Sequence, residues 1–389
     1  MNSKLRGSVL LIAGCSIGAG MLGIPVMTGA AGFIPTSILF VLTWAFMALS
    51  GLVLAELVLS YKQSGINLLS LARESLGKVG MTVASLTFMF LFYAIMTAYM
   101  IASSELLYEF FGVPVALGSC IFVLLMYLII ARGLRLVDSL NQVLMIVLAA
   151  CYVLLIGFGI SNVDPSRLLR SNFAASFVSL PILVVSFGYH NLVPSLVVYL
   201  ERSRKCLMKA IVIGSSIPLF IYLLWEFVIL GIVPMESLAE WKMAQNSGDM
   251  ITEVLSKHAE TGSVVLIAQG FAFAAIVTSF LPVSFSFLDF LKDGFLKGKN
   301  ERLIALCVLL PPFVVSFLGP HLFLEALDFA GGICAVILFG ILPSIMAYKQ
   351  QRKIGSEHFV VAKTPVLVFL LVGSFGILSI ELLHLAGVL

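Results

Sequence analysis

Long apolar runs make up most of the chain, and short stretches between them hold most of the charged residues. A helix needs about 20 apolar residues to cross the hydrocarbon core of a bilayer, and eleven stretches approach or exceed that length. The pattern therefore predicts an all-α integral membrane protein with eleven transmembrane helices. We expect them at residues 8–28, 34–60, 82–109, 115–131, 141–160, 173–200, 209–233, 262–288, 303–318, 326–347 and 365–387.

Composition strengthens this prediction. Hydrophobic residues make up 60% of the 389 positions and charged residues 11%, whereas a soluble domain has about 25% charged residues. No run of basic residues indicates nucleic-acid binding. The six cysteines lie in or beside apolar runs without the spacing of a metal site, which is typical of small buried hydrophobic residues. We expect no metal and no cofactor.

The distribution of Lys and Arg orients the helices. With the N-terminus in the cytoplasm, alternating loops place 19 of the 23 basic residues inside, as the positive-inside rule requires. The four outside are Arg167, Arg170, Lys242 and Lys257. We therefore expect a multi-pass protein with its N-terminus in the cytoplasm and its C-terminus outside.

Two of the loops carry a helical pattern. Residues 63–79 predict a short amphipathic helix on the inner face. Residues 234–261 carry five acidic residues with interleaved apolar ones, which predicts an outer loop with helical pieces. This outer loop is either a lid over the transport path or a solvated connector.

Two of the predicted helices are interrupted near their middle. The first contains GAGMLGIP (residues 18–25), and the sixth contains SFGYHNLVPS (residues 186–195). Glycines alone are also typical of close helix packing, but these interruptions form a pair. Irregular backbone at membrane depth occurs only where it is buried in protein or lines a cavity. Paired interruptions in two halves of a chain are the best sequence indication of a transporter's binding site.

The position of the pair also predicts a repeat. Five predicted helices precede the sixth, and five run from the sixth to the tenth. An odd number of helices in each copy inverts the second copy relative to the first. We therefore predict a single transporter domain over residues 1–389, with inverted repeat 1 at 1–160, inverted repeat 2 at 173–347 and an extra eleventh helix at 365–387.

The two breaks have complementary chemistry. A half-helix that begins inside the membrane exposes unpaired N–H groups and the positive end of its dipole, which suit a carboxylate. Unwound carbonyl groups at the other break suit a protonated amine, so together the breaks predict a receptor for a zwitterion such as an α-amino acid. The expected contacts are the N–H groups of Gly18, Ala19, Gly20 and Met21 and the carbonyls around Ser186, Phe187 and Gly188.

These motifs resemble those of a known family. The chain is similar along its whole length to the bacterial hydroxy/aromatic amino acid permeases, the tyrosine- and tryptophan-specific group of the amino acid–polyamine–cation superfamily. The resemblance rests on IGAGMLGIP (residues 17–25), SFGYHNLVPSL (186–196), TAY (97–99), SFLPVSFSFLDFLKD (279–293) and NLLSLARESLGK (67–78).

The resemblance implies a LeuT-type fold, uptake of tyrosine and/or tryptophan by symport with protons, and a place in the bacterial cytoplasmic (inner) membrane. Two residues depart from the pattern of the family. Gly23 stands where relatives usually carry alanine, and Tyr189 replaces a phenylalanine. Both lie near the expected substrate, so the choice among tyrosine, tryptophan and phenylalanine stays open.

The third helix offers residues for a side-chain pocket. Tyr93, Thr97, Met100 and Ser104 follow at i, i+4, i+7 and i+11, so they share one helix face. This face either lines an aromatic substrate, with Tyr93 and Thr97 in contact, or packs against neighbouring helices.

Ionisable side chains inside the bilayer are costly, so each is a functional hypothesis. His190 lies within a break, and histidine titrates near neutral pH. It therefore either binds the substrate, carries a proton or serves as a structural hydrogen-bonding group. Glu226 and Glu105 are the other candidates for proton coupling. We expect Glu105, like Glu56 and Glu381, to lie toward a membrane interface.

Sodium is the alternative coupling ion. Its oxygens would come from Ala13 and Ser16 in the first helix and from Thr278 and Ser279 in the eighth. These hydroxyls have the alternative of bonding back to their own helix, and the resemblance favours protons. A membrane-embedded enzyme is the main alternative from another class, but the five histidines are scattered along the chain. We expect a transporter and not an enzyme.

Overall fold

The computed structural model describes residues 3–18, 20–62, 66–132, 134–233, 238–258, 262–294, 300–319 and 321–386, and within these ranges no residue belongs to a β-strand. The first ten helices are Ser3–Ser16 (α1), Gly20–Gly29 (α2), Phe33–Ser60 (α3), Leu68–Phe111 (α4), Val115–Ala131 (α5), Leu134–Ile160 (α6), Pro165–Leu168 (α7), Phe173–Ser176 (α8), Leu180–Ser186 (α9) and Val193–Tyr199 (α10).

The second half of the chain is helical in the same way. Its helices are Arg204–Ile232 (α11), Leu238–Ser247 (α12), Ile251–His258 (α13), Gly262–Gly294 (α14), Glu301–Leu318 (α15), Phe323–Asp328 (α16), Leu342–Ile354 (α17) and Thr364–Leu385 (α18). A π-helical segment, Phe329–Ile341, joins α16 to α17. Such segments are rare and are often found at functional sites.

Membrane-spanning helices account for most of this structure. In the described ranges, eight helices are long and apolar enough to cross a membrane, and the pair α1 and α2, bent by 54°, makes a ninth if it counts as one span. Two shorter apolar helices lie at Val115–Ala131 and Arg302–Leu318. Pro311 and Pro312 lie inside α15 without ending it.

The inner amphipathic segment is a helix, as predicted, and it is continuous with the third span. The side chain of Asn67 caps α4 by accepting a hydrogen bond from the N–H of Ser70 at 2.8 Å. The helix bends at Gly77, whose φ of 72° and ψ of −156° are not helical. A positive φ costs glycine little, so this residue lets the inner piece turn away from the span. Residues 63–65 of the predicted segment lie outside the described residues.

Glu56, which we expected toward a membrane interface, lies four residues before the end of α3 and is buried inside the protein. Only 4% of its surface is exposed, and its carboxylate accepts hydrogen bonds from the N–H groups of Val360, Val361 and Ala362 at 2.9–3.1 Å. The guanidinium of Arg204 also donates to it. Glu56 therefore ties the loop before α18 to α3 and to the start of α11.

Replacing this carboxylate is expected to destabilise the fold. Glu56→Ala leaves three backbone donors and one guanidinium without their shared acceptor, and breaking such a buried pair costs about 3 kcal/mol. Thermal unfolding in detergent measures the effect. The control is Glu357→Ala, which removes an exposed acid from the same loop and should leave the unfolding temperature unchanged. Equal unfolding temperatures for the two variants would contradict this role for Glu56.

The predicted outer loop is helical in its described part and covers α2. Gln245 of α12 donates from Nε2 to the carbonyl oxygens of Val26 and Met27 at 3.0 and 3.1 Å. Trp241 is fully buried, and its indole packs directly on Gly29, where a Cβ atom would overlap the ring. The loop therefore lies on α2, the second half of the broken first helix.

Candidate functional site

The first break separates α1 from α2 at the predicted glycines. The last residue of α1 is Ser16, and α2 begins at Gly20. The N–H of Met21 donates to the Gly18 carbonyl at 3.0 Å, so this N–H already has an acceptor and is not one of the free donors that we expected. Ala19 lies outside the described residues. Gly18 and Gly20 both line a cavity at this break.

The second break separates α9 from α10. After Ser186, the N–H of Gly188 turns back to the Val185 carbonyl at 3.0 Å, and His190–Leu192 forms a short 3₁₀ turn before α10. Ser186 and Gly188 line the same cavity as Gly18 and Gly20. The structure therefore brings the two predicted breaks together.

The approach of the two breaks is close enough to exclude side chains. A Cβ atom added to Gly20 would overlap Oγ of Ser186 and would lie 3.3 Å from its Cβ. A Cβ atom on Gly18 would lie 2.8 Å from Oγ of Ser279 and 3.2 Å from the Tyr99 hydroxyl. The absence of a side chain at Gly20 thus makes the approach of the two breaks possible, and its absence at Gly18 leaves room for Ser279 of α14 and Tyr99 of α4.

Tyr222 of α11 joins the breaks through one hydroxyl. The hydroxyl lies within hydrogen-bonding distance of the carbonyl oxygens of Ser16, at the end of α1, and of Ser186, at the end of α9. A phenol has one proton to donate, so the two carbonyls share it. Tyr222 is fully buried and therefore fixes the distance between the ends of the two half-helices.

Two neighbours of Tyr222 extend this contact onto α2. Trp225 donates from Nε1 to the Met21 carbonyl at 3.0 Å, and the carboxyl group of Glu226 is hydrogen-bonded to the Thr28 hydroxyl. Residues at i, i+3 and i+4 share a helix face, so one face of α11 holds both halves of the first helix. We did not predict Tyr222 or Trp225, although a Tyr–Trp–Glu group inside an apolar run is a signal that could have identified them.

The cavity between the breaks has a predominantly aromatic and aliphatic wall. Its empty space, including the open mouth, is about 690 Å³. Phe88 and Phe92 from α4 stack with ring centroids 5.9 Å apart. The lining residues are Cys15, Ser16, Gly18, Gly20, Phe88, Leu91, Phe92, Ile95, Tyr99, Val185, Ser186, Gly188, Asn191, Val283, Leu327 and Phe339.

The predicted face of the third helix does not line this cavity. The Tyr93 hydroxyl donates to the Cys307 carbonyl at 3.0 Å, and Thr97 is buried away from the lining. Met100 and Ser104 are buried as well, and the Ser104 hydroxyl bonds back to its own helix. A neighbouring face of the helix, which carries Phe88, Phe92 and Tyr99, faces the cavity instead.

Three predicted residues of the second break have side chains that lie behind the lining. Phe187 packs edge-on against Tyr222 with centroids 5.3 Å apart. His190 is fully buried between Tyr189 and Phe339, with centroids at 4.8 and 4.7 Å. Because Phe339 lines the cavity, His190 touches the site through that ring.

The two departures from the family pattern have structural partners. The Tyr189 hydroxyl donates to the Met47 carbonyl at 3.3 Å and occupies the space over Gly51. A Cβ atom on Gly23 would lie 2.7 Å from Ile182 and 2.9 Å from Leu324. The side chains of Ile182 and Leu324 therefore occupy the space that an alanine methyl group would need. Neither residue lines the cavity.

The proposed sodium ligands are only partly assembled. Thr278 donates to the Ala274 carbonyl at 2.7 Å, and Ser16 donates to the Ile12 carbonyl at 3.2 Å, so both hydroxyls bond back to their own helices. The Ala13 carbonyl accepts from the N–H of Ile17 at 3.1 Å. Ser16 lines the cavity at the break, and Ser279 reaches the break beside Gly18.

The acidic candidates lie in different surroundings. Glu226 is fully buried beside α2. Glu105 is half-buried at the outer end of α4 and interacts with the charges of Glu253, Glu109 and Asp249. Glu381 lies four residues before the end of α18 and is buried inside the protein, with 1% of its surface exposed.

Two solved structures share this fold. The structure of MhsT in complex with L-phenylalanine matches with a TM-score of 0.65 and 12% identity, over 98% of this chain and 98% of that one. A manganese transporter from Eremococcus coleocola matches with a TM-score of 0.62 and 16% identity, over 97% and 85% of the two chains. At these identities the likeness shows the fold alone, and that fold is the expected LeuT-type fold.

Sequence relatives are named as transport proteins. A tryptophan-specific transport protein of Haemophilus influenzae is 30% identical, over 97% of this chain and 94% of its own length. Tyrosine-specific transport system 2 of the same organism is 30% identical, over 90% and 89%. Glutamine transporter 2 of Aliivibrio fischeri is 26% identical, over 97% and 98%. The model of the tryptophan/tyrosine permease family matches residues 1–381. This multi-pass membrane protein therefore belongs to the tryptophan/tyrosine permease family, a family of transporters and not of enzymes.

Proposed function

We propose that the protein is a secondary active transporter that imports an aromatic amino acid, tyrosine and/or tryptophan, by symport with protons through alternating access. The observation that carries the proposal is the cavity between the two breaks, where glycine and serine backbone meets a wall of aromatic rings. Such a site offers polar backbone to an amino and carboxylate group and apolar surface to a ring. The substrates named for the relatives support the same class.

Two parts of the cavity suit the two parts of the substrate. The amino acid end would lie at Gly18, Gly20, Ser186 and Gly188, and Ala19 belongs to the same stretch. The ring would lie toward Phe88 and Phe92, since offset and edge-on aromatic pairs add about 0.5–1.5 kcal/mol beyond their area. Tyr99 and Asn191 also line this cavity and offer polar atoms to a phenol hydroxyl or an indole N–H. Met21, Tyr93, Thr97, Phe187, Tyr189 and His190 then support this lining from behind.

Glutamine is the competing substrate, because one relative is named for it. Its side chain would gain none of the ring contacts that Phe88, Phe92 and Phe339 offer, and aromatic pairs add about 0.5–1.5 kcal/mol beyond their area. We therefore propose an aromatic substrate.

We also propose the number of spans, the internal repeat and the orientation of the protein in the membrane. The eight long helices, the bent pair and the two shorter apolar helices sum to eleven apolar segments, in support of a 5+5 inverted repeat with an extra C-terminal helix. We place the protein in the bacterial inner membrane with its N-terminus in the cytoplasm. The basic residues near that face, such as Lys4, Arg202 and Arg204, support this orientation.

Protons are the proposed coupling ion, and sodium is the alternative. The hydroxyls of Ser16 and Thr278 donate to their own helices, which leaves their oxygens able to ligate either ion, so the preference for protons rests on the family resemblance. His190, Glu226 and Glu105 remain candidates for proton handling.

Transport in proteoliposomes tests the proposal. Vesicles with an imposed inward proton gradient should concentrate labelled tryptophan or tyrosine, and a sodium gradient without a pH difference should not. Unlabelled tyrosine and tryptophan should compete at concentrations at least about tenfold lower than glutamine, which corresponds to about 1.4 kcal/mol. Empty vesicles are the control. Uptake driven only by sodium, or stronger competition by glutamine, would contradict the proposal.

A further inference from the structure

Two buried carboxyl groups lie behind the cavity wall. Asp328 ends α16 and has 5% of its surface exposed, and Glu381 of α18 has 1% exposed. Both oxygens of Glu381 and Oδ1 of Asp328 are buried without a hydrogen-bond partner within the described residues. Glu226, by contrast, has the Thr28 hydroxyl as a partner.

The two groups belong to one cluster. Gly332 follows Asp328 by four residues, and a Cβ atom on Gly332 would lie 2.7 Å from Cγ and 2.8 Å from Cδ of Glu381. The carboxyl group of Glu381 thus lies directly against the backbone of the π-helical segment. Asp328 and Glu381 also interact electrostatically, as two neighbouring carboxyl groups must.

Among the described residues of the helices packed around them, no Lys or Arg is paired with these acids. The charged groups that face Asp328 are Glu381 and the exposed Glu325. In sequence, α9, α16, α18 and the π-helical segment hold no Lys or Arg; the segment's one ionisable side chain is the thiol of Cys334, and α18 adds His384 one turn beyond Glu381.

The other helices that pack around the pair are α3, α4 and α17, and their charged residues lie near the helix ends or have partners of their own. Helix α4 carries Arg73, Glu74 and Lys78 in its first turns, and its acids at the other end, Glu105 and Glu109, interact with each other and with Glu253 and Asp249. Glu56 of α3 is bound by Arg204, and α17 carries its basic residues in its last turns, where Arg352 lies over Tyr348.

Such a pair is stable only in a neutral form. An isolated carboxylate in an apolar interior costs several kcal/mol, and the group takes up a proton instead. Two carboxyl groups that share a site cannot both ionise. The conformation seen here therefore holds protons at the pair, and a conformation that opens the pair to water releases at least one of them.

The same segment touches both breaks. Leu327, the residue before Asp328, lines the cavity, and Leu324 packs on Gly23 of α2. On the other side, Gly331 packs directly on the Pro181 carbonyl of α9. Movement of the half-helices α2 and α9 must therefore displace the helix that carries Asp328.

We propose that Asp328 and Glu381 form the proton-binding site that couples proton release to closure and opening of the substrate cavity. This inference rests on the proposed proton symport and adds the place where the proton is carried. Asp328 follows Leu327, which lines the cavity, so the pair is coupled to the cavity through α16 without touching the substrate.

The test compares accumulation with exchange in proteoliposomes that contain the full chain. Wild-type protein with one proton per substrate should accumulate labelled tryptophan about tenfold for each unit of pH difference, because one pH unit is 1.36 kcal/mol. Glu381→Gln and Asp328→Asn keep the shape of each group and remove the exchangeable proton. In both variants the accumulation should fall to about onefold, while tryptophan exchange at equal pH stays within about twofold of wild type. Glu325→Gln, at the exposed acid on the same helix, should retain both activities.

The outcomes separate this inference from the proposed function. Wild-type vesicles without any accumulation driven by the pH gradient would overturn proton symport itself. Wild-type accumulation that persists in Glu381→Gln, in Asp328→Asn and in the double variant would overturn only the proton site. Loss of exchange in both single variants, with monodisperse protein, would overturn it too, because the pair would then be structural. Loss of accumulation with retained exchange in Glu226→Gln alone would assign the proton to Glu226 instead.

Discussion

Gly20→Val is expected to abolish tryptophan uptake while the protein still inserts in the membrane. At this position even a Cβ atom overlaps Oγ of Ser186, and a branched side chain would fill the space between the two breaks. Overpacking of this kind costs about 2–3 kcal/mol, which corresponds to about 30- to 150-fold weaker binding. Binding of labelled tryptophan to purified protein and uptake into vesicles measure the effect.

Two other glycines of the broken first helix serve as controls with graded steric overlap. A Cβ atom on Gly14 would meet only Cε of Met145 at 3.9 Å, so Gly14→Val should retain most of the uptake. Gly18→Ala should have an intermediate effect, since the nearest atoms are the ends of two side chains, Ser279 and Tyr99. Full uptake by the Gly20→Val protein would place the substrate somewhere other than between the breaks.

Tyr222→Phe is expected to weaken tryptophan binding by about tenfold without loss of the fold. The variant keeps the ring that packs on Phe187 and Phe40 and removes the donor that the Ser16 and Ser186 carbonyls share. Unpaired buried acceptors cost about 1–3 kcal/mol, and the two carbonyl groups that lose their donor are at the ends of the half-helices. Equilibrium binding together with thermal unfolding distinguishes a local effect from a global one.

Tyr152→Phe is the matched control for this variant. The Tyr152 hydroxyl also donates to a backbone carbonyl, that of Ile221 at 2.9 Å, but Tyr152 does not line the cavity. Its removal should change unfolding temperature by a similar amount and leave binding intact. If the two phenylalanine variants bind tryptophan equally well, Tyr222 does not hold the breaks in a binding geometry.

Helix positions and breaks could be predicted because they depend on local chemistry. An apolar run long enough to cross a bilayer has to be a helix, since lipid offers no partner to the backbone. The glycines at 18 and 20 and the irregular stretch around Gly188 mark the interruptions for the same local reason. The approach of the two breaks followed from their pairing, and the structure confirms that Gly18, Gly20, Ser186 and Gly188 line one cavity.

Helix orientation could not be predicted from the same pattern. In a soluble helix the polar face identifies the buried one, but a membrane helix is apolar on both its lipid face and its protein face. The face of α4 with Tyr93 and Thr97 was therefore as plausible as the face with Phe88, Phe92 and Tyr99. Packing against α14 and α15 decided between them.

The burial of the acids was decided by tertiary structure as well. The sequence places Glu56 and Glu381 near the ends of apolar runs, and the structure adds that each is covered by another helix or loop. The sequence by itself determined the number of apolar runs, the paired breaks and the family. Only the tertiary structure decided which carbonyls share the Tyr222 hydroxyl and which carboxyl groups are buried away from water. The reason is that those contacts join residues that are distant in the chain.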